Sequence, residues 1–166
     1  EAEGGRLARR LSGGGAVYHD LGNINFSFID TRVDGEDTSA MFARFTAPII
    51  AALRKLGVEA YLEGRNDLLI DGRKFSGNAI CIHRDRVLQH GTMLFSSSIA
   101  DLSRALNARP EKFVGKSVQS NRSRVTNISE HLPKAMDIEE FMDFIYREVG
   151  VGQASDYTPE EVAAIE

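Results

Sequence analysis

The sequence predicts an α+β fold, a mainly antiparallel sheet with helices packed on one face. Three observations predict it. Short alternating apolar stretches dominate up to Phe95, a two-residue turn signal joins two of them, and helices and loops dominate after it. Short strands are expected near residues 6–10 and 15–19. The clearest strand covers 23–30, where Ile24, Phe26 and Phe28 alternate with Asn23, Asn25 and Ser27. A helix follows at 37–56, because Phe42, Phe45, Ile49, Leu53 and Leu56 recur at helical spacing on one face and Gly57 supplies the stop. Pro48 lies inside that pattern and predicts a kink or break just before it, since proline has no N–H for the preceding turn. Val58–Leu62 reads as a strand. Leu68–Ile70 and Arg73–Ser76 flank Asp71-Gly72, a pair suited to the positive-φ turn of a tight hairpin. Ala79–His83 and Arg86–Phe95 continue the sheet around an Arg84-Asp85 turn.

Past residue 98 the pattern turns to helix and loop. Ile99–Leu106 is expected as a short helix and Pro110–Gln119 as irregular. The helix at 138–149 opens on a capping box, Asp137 with Glu140, and stops at Gly150; Ile138, Phe141, Ile145 and Val149 form its apolar stripe. Thr158-Pro159-Glu160-Glu161 opens a last helix with an N-cap, an N1 proline and an N3 glutamate.

The bulk chemistry narrows the function. A chain of 166 residues, 42% hydrophobic and 27% charged, suits one globular domain with a proper core. A net charge of −4 argues against a general nucleic-acid binder. The single cysteine, Cys81, rules out an internal disulfide framework and is compatible with a reducing cytoplasm. No apolar run approaches the length of a membrane span, and the first residues lack the apolar centre of a secretory signal.

Two clusters can carry chemistry. Arg9 and Arg10 run into Gly13, Gly14 and Gly15, which lead into an apolar alternating stretch. Glycines there let the backbone adopt φ > 0 and approach a ligand closely, with N–H groups forming an anion cradle and guanidinium forks beside it. A glycine-rich hairpin with a solvated basic flank fits the same residues. The second cluster is GRNDLLIDGRKFSGNA. Lys74, just past the Asp71-Gly72 turn, is a positive point charge on a rigid strand, able to meet a carboxylate, a phosphate or both. It reads equally as a solvated edge lysine that discourages strand pairing. Asp67 suits a Mg²⁺ brought by a nucleotide, or simply an Asx turn. Ser76, Gly77 and Asn78 add backbone N–H groups and an amide.

Other arrangements fail on spacing. Gly115-Lys116-Ser117 resembles the end of a phosphate-binding loop, but Pro110 stands where its first glycine belongs. No strand–GxGxxG–helix unit exists, and His19, His83, His90 and His131 lack zinc-site spacing. Cys81 sits in an apolar run and reads as a small core hydrophobe. Lys112, Lys116, Arg122 and Arg124 read as a solvated basic face.

Four blocks in order, RRLSGGGAVYHDLGNINFSF, GRNDLLIDGRKFSGNA, QHGTMLF and SNRSRVTNISEHLP, resemble the lipoate–protein ligase family. The resemblance runs from about Arg6 to about Gly150. It implies an α+β domain related to the catalytic domain of biotin–protein ligases. The implied activity uses ATP, with Mg²⁺, to convert lipoate to lipoyl-AMP. The lipoyl group then passes to a lysine on a carrier domain of a 2-oxoacid dehydrogenase E2 or the glycine cleavage H protein. Carried over by position, Arg10 matches the arginine that contacts the nucleotide, and Gly15, Ala16, Val17 and Tyr18 match the loop that wraps the adenylate. Lys74 matches the lysine shared by the acyl carboxyl and the phosphate, and Tyr18 and Phe26 should shield the labile anhydride from water.

The resemblance also sets expectations for organisation. Residues 1–150 would be the catalytic domain, N-terminally incomplete, and 151–166 the start of a C-terminal helical extension without the accessory domain that some members carry as a separate chain. The expected setting is cytoplasmic, with no nucleic-acid or membrane partner. A related octanoyl or lipoyl transferase would need a reactive thiol for a thioester, for which Cys81 is poorly suited. A non-catalytic lipoate-binding module would show no dependence on ATP.

Overall fold

Five strands form one antiparallel sheet: β1 (Asn23–Thr31), β2 (Ala60–Glu63), β3 (Asp67–Ile70), β4 (Arg73–His83) and β5 (Arg86–Leu94), in the spatial order β1-β5-β4-β3-β2. The structure, a computed structural model, describes residues 8–106, 124–150 and 155–165. The helices are α1 (Thr38–Lys55), α2 (Ile99–Leu106), α3 (Ile138–Val149) and α4 (Pro159–Ile165), with a 3₁₀ turn at Ile128–His131. Among the described residues no helix is long and apolar enough to cross a membrane. The α+β expectation holds, and the helices follow their predicted positions closely.

Local chemistry explains most element ends. Asp71 and Gly72 both take positive φ, 49° and 70°, the conformation a two-residue hairpin needs. Gly57 closes α1 at φ 80°. The capping box of α3 is present, with Asp137 accepting from the Glu140 N–H at 2.8 Å and Glu140 from the Asp137 N–H at 3.1 Å. Gly150 caps that helix with its N–H on the Tyr146 carbonyl, where a Cβ would lie 2.5 Å from the same oxygen.

Four expectations need correction. No strand forms within the described part of 6–10 or at 15–19; residues 8–20 are an irregular loop. Two of its carbonyls, those of Gly13 and Gly15, accept from the Arg10 side chain. Helix α1 runs unbroken through Pro48, whose exposed position lets water serve the carbonyl left without a partner. The strand expected from Val58 begins at Ala60, because the Val58 N–H bonds to the Leu53 carbonyl (3.0 Å) and belongs to the helix exit. The stretches 73–76 and 79–83 are one strand, continuous through Gly77 and Asn78. The irregular stretch expected at Pro110–Gln119, with Gly115-Lys116-Ser117, Lys112, Lys116 and Arg122, lies outside the described residues.

The core sits on one face of the sheet. Ile49 and Leu53 of α1 and Phe141 of α3 pack with Leu68, Ile70, Phe75, Met93, Phe95 and Ile128. A smaller cluster joins Met41 and Phe45 to Val87. With helices filling one face, period-2 alternation leaves Asn25, Ser27, Ala79, His90 and Thr92 on the other. That second face carries the cavity.

Candidate functional site

A cavity of about 660 Å³ opens between the glycine loop and the second face of the sheet, a size suited to a small-molecule substrate. The loop contributes Arg10, Gly13, Gly14, Gly15, Ala16 and Val17; the sheet side contributes Asn66, Asp67, Lys74 and Gly77. Two cations and one carboxylate, Asp67, border it, so the cavity favours an anion.

Arg10 shapes the loop. Its Nη2 donates to the carbonyls of Gly15 (2.7 Å) and Gly13 (3.0 Å). Gly14 makes this possible. It takes φ 113°, and a Cβ there would lie 2.6 Å from Nη2. The Ser12 hydroxyl reaches down to His90 Nε2 on β5, pinning the loop to the sheet. Burial first, and the charge of Arg10 second, hold the His90 imidazole below its ordinary range.

A β-bulge aims Lys74. Leu68 pairs with Ser76 but Leu69 pairs with Lys74, so Phe75 is an extra residue on β4. Strict alternation would put Lys74 and Gly77 on opposite faces. The bulge puts them on the same one, and a Cβ on Gly77 would lie 3.1 Å from Lys74 Nζ. The ammonium meets Asp67 Oδ1 at 2.7 Å. Asp67 is held in turn by its neighbour. The Asn66 carbonyl accepts from both the N–H and Nδ2 of Asn78 (3.0 Å each), while Asn66 Nδ2 donates back to the Asn78 carbonyl. Asn78 is itself buried, with its Oδ1 accepting from Gln89 Nε2 at 2.7 Å.

Most residues singled out in the sequence converge here, but Arg9, Ser76 and Tyr18 do not. Ser76 is buried, with its Oγ accepting from Asn78 Nδ2, because the bulge points it with Phe75 to the core side. Tyr18 is not among the residues bordering the cavity. Phe26 borders it while its ring packs beside Phe28, 5.7 Å between centroids. His19, Asn25, His90 and Thr92 also border the cavity, and no motif in the sequence marks them for this site. The signal that finds the three on strands is register, since Asn25 pairs with Thr92 and Ser27 with His90. Among the described residues no group of three or more His, Cys, Asp or Glu is placed to hold a metal.

Comparison with known proteins decides the family. The model of the lipoyl protein ligase A/B catalytic domain matches residues 1–150. The chain belongs to that family. A relative, the lipoate-protein ligase LplJ of Bacillus subtilis, is 50% identical over 161 residues, covering 95% of this chain and 48% of the relative. The chain thus spans about half the length of the curated relatives it matches. Among solved lipoyl ligases, the bipartite lipoate protein ligase of Thermoplasma acidophilum, described with its E2 lipoyl domain, superposes with a TM-score of 0.74 at 32% identity. That match covers 95% of this chain and 63% of the other. A lipoate-protein ligase A bound with ATP gives 0.74 at 28%, covering 98% and 66%. The biotin protein ligase of Aquifex aeolicus, at 0.52 and 17% over 76% of this chain and 50% of its own, shares the fold.

Proposed function

We propose that the chain acts as an ATP-dependent lipoate–protein ligase. The observation that carries this reading is the convergence of Arg10, the glycine loop and Lys74 on one cavity in a domain of the lipoyl ligase family. A relative solved with ATP and another described with its E2 lipoyl domain support the choice of nucleotide and acceptor. In the first step the lipoate carboxylate attacks the α-phosphate of ATP, and pyrophosphate leaves. In the second a lysine amine of a lipoyl carrier domain, on an E2 component or a glycine cleavage H protein, attacks the acyl carbon and AMP leaves.

The chemistry explains the residues. Two anions must meet in the first step, and the Lys74 ammonium would neutralise both. Arg10 and the glycine-loop backbone hold the phosphate in line, which is positioning more than proton transfer. Residues Ala16 and Val17 cover the adenylate. A Mg²⁺ carried in by the nucleotide fits Asp67, because Mg²⁺ keeps its waters and takes one or two carboxylates beside phosphate oxygens. Bound there it would neutralise phosphate charge. Cys81 does not border the cavity, so a thioester-forming transferase has no thiol at the site. We propose further that 1–150 form the catalytic unit, that 151–166 begin a helical extension, and that the chain works in the cytoplasm, where the free thiol of Cys81 persists.

The test is mass spectrometry of a lipoyl domain incubated with the protein, lipoate, Mg²⁺ and ATP. A lipoyl mass shift that vanishes without ATP, and lipoyl-AMP formation lost in Lys74→Ala with the fold intact, are expected. Transfer that ignores ATP, or lipoate binding without any product, would overturn the reading.

A further inference from the structure

We infer that the segment 124–127 is a clamp that sets the position of Lys74, with Asn127 and Thr126 as its positioning residues; the inference rests on the ligase reading above. Strand β5 flanks β4 only as far as the pair Ser76–Met93. At Lys74, two residues further, another segment takes its place. The Lys74 N–H donates to the Arg124 carbonyl (2.8 Å), and the Thr126 N–H donates to the Lys74 carbonyl (3.0 Å). Val125 bridges Lys74 in parallel, the opposite sense to every strand pair in the sheet. Lys74 is thus paired on both sides, to Leu69 and to this segment, at the bulge, where a ladder is most easily displaced.

The segment is itself anchored by one buried amide. Asn127 Oδ1 accepts from the Ser97 N–H (2.9 Å), and its Nδ2 donates to the Ser97 carbonyl (3.0 Å). A side chain that reads both backbone groups of a single residue must carry a donor and an acceptor at this length. Aspartate would set a carboxylate oxygen against the Ser97 carbonyl. The Ser129 N–H adds a bond to the Phe95 carbonyl at 3.1 Å, and Ile128 is fully buried beside it. Thr126 is secured separately, its Oγ1 lying 2.9 Å from His131 Nε2, while its backbone holds Lys74. The chain just past β5, at Ser97, therefore reaches Lys74 through Asn127.

The expected signature separates positioning from folding. In Asn127→Asp and Asn127→Ala, amide hydrogen exchange at Lys74 and Thr126 should accelerate at least about tenfold, with the sheet amides of β1 and β5 unchanged. The kcat for lipoyl-AMP formation should fall about tenfold to a hundredfold, while KM for ATP stays within about twofold. Thr126→Val, which keeps the backbone N–H and loses only the hydroxyl, should show the same split more weakly and serves if the Asn127 variants do not fold. Unchanged exchange at Lys74 overturns the clamp. Accelerated exchange with an unchanged kcat, or a loss confined to KM, overturns its role in positioning. A wild-type protein that makes no lipoyl-AMP would refute the ligase reading instead, and the exchange measurement would still decide whether the clamp exists.

Discussion

Gly77 shows how closely the residues around Lys74 are matched. A Cβ there would stand 3.1 Å from Nζ and 3.2 Å from Cε, closer than side chains usually approach but against the flexible end of the lysine. Gly77 is not in the left-handed region, so alanine is allowed by its backbone. Gly77→Ala should therefore leave the thermal midpoint almost unchanged and push the ammonium off its contact with Asp67. Lipoyl-AMP formation is expected to drop by roughly tenfold, since a misplacement of about 1 Å can cost about a hundredfold in positioned chemistry. Equal rates in variant and wild type would show that the Asp67–Lys74 geometry is irrelevant. At this scale the sequence was most readable for residues whose chemistry is unusual in its surroundings. Lys74 and Arg10 are cations beside turns, and both border the cavity. The partnership of Lys74 with Asp67 was not readable, because it depends on a one-residue slip in register that no composition or spacing announces.

The same contrast holds for elements. Helices α1 and α3 were legible because periodicity and caps are local, and even Pro48 was a local signal, though α1 runs through it on its exposed side. The stretch 15–19 alternates like a strand but lies over the cavity as a loop, held by Arg10 to its own carbonyls and by Ser12 to His90. Burial of His90 beneath the loop, with the Arg10 charge beside it, makes this region sensitive to pH. Because the folded imidazole titrates below its ordinary value of 6.5, the unfolded chain binds a proton first as pH falls. The stability contributed here is present in full above 6.5 and is lost as pH falls from there through the lower value of the folded imidazole. Denaturant titrations of wild type and His90→Gln between about pH 7.5 and pH 5 should give a steeper loss for the wild type. Parallel curves would mean that His90 contributes nothing to the pH dependence.

Across the whole molecule, the sheet separates stability from chemistry. The order β1-β5-β4-β3-β2 places the first strand beside the last, a pairing that no local pattern could reveal, yet this pairing brings Asn25 and Ser27 next to Thr92 and His90 under the loop. On the other side Phe45 stacks on Phe28, 6.1 Å between centroids, and packs with Met41 and Val87, while the Arg44 guanidinium covers its ring at 4.3 Å. None of these residues borders the cavity. Removing the ring should therefore cost the full transfer and cavity terms, about 3–5 kcal/mol, without touching the reacting groups. We expect Phe45→Ala to lower the denaturation midpoint strongly and to keep the wild-type kcat per folded molecule at a temperature where it remains folded. Phe45→Leu applies the same test at smaller cost if alanine unfolds the chain. Lys74→Ala is the reciprocal case, with half-buried Lys74 leaving stability nearly intact and activity lost. A fall in kcat for the Phe45 variants, at full folding, would mean that the helix-covered face transmits its packing through β5 to His90, and that the two faces are one mechanical unit.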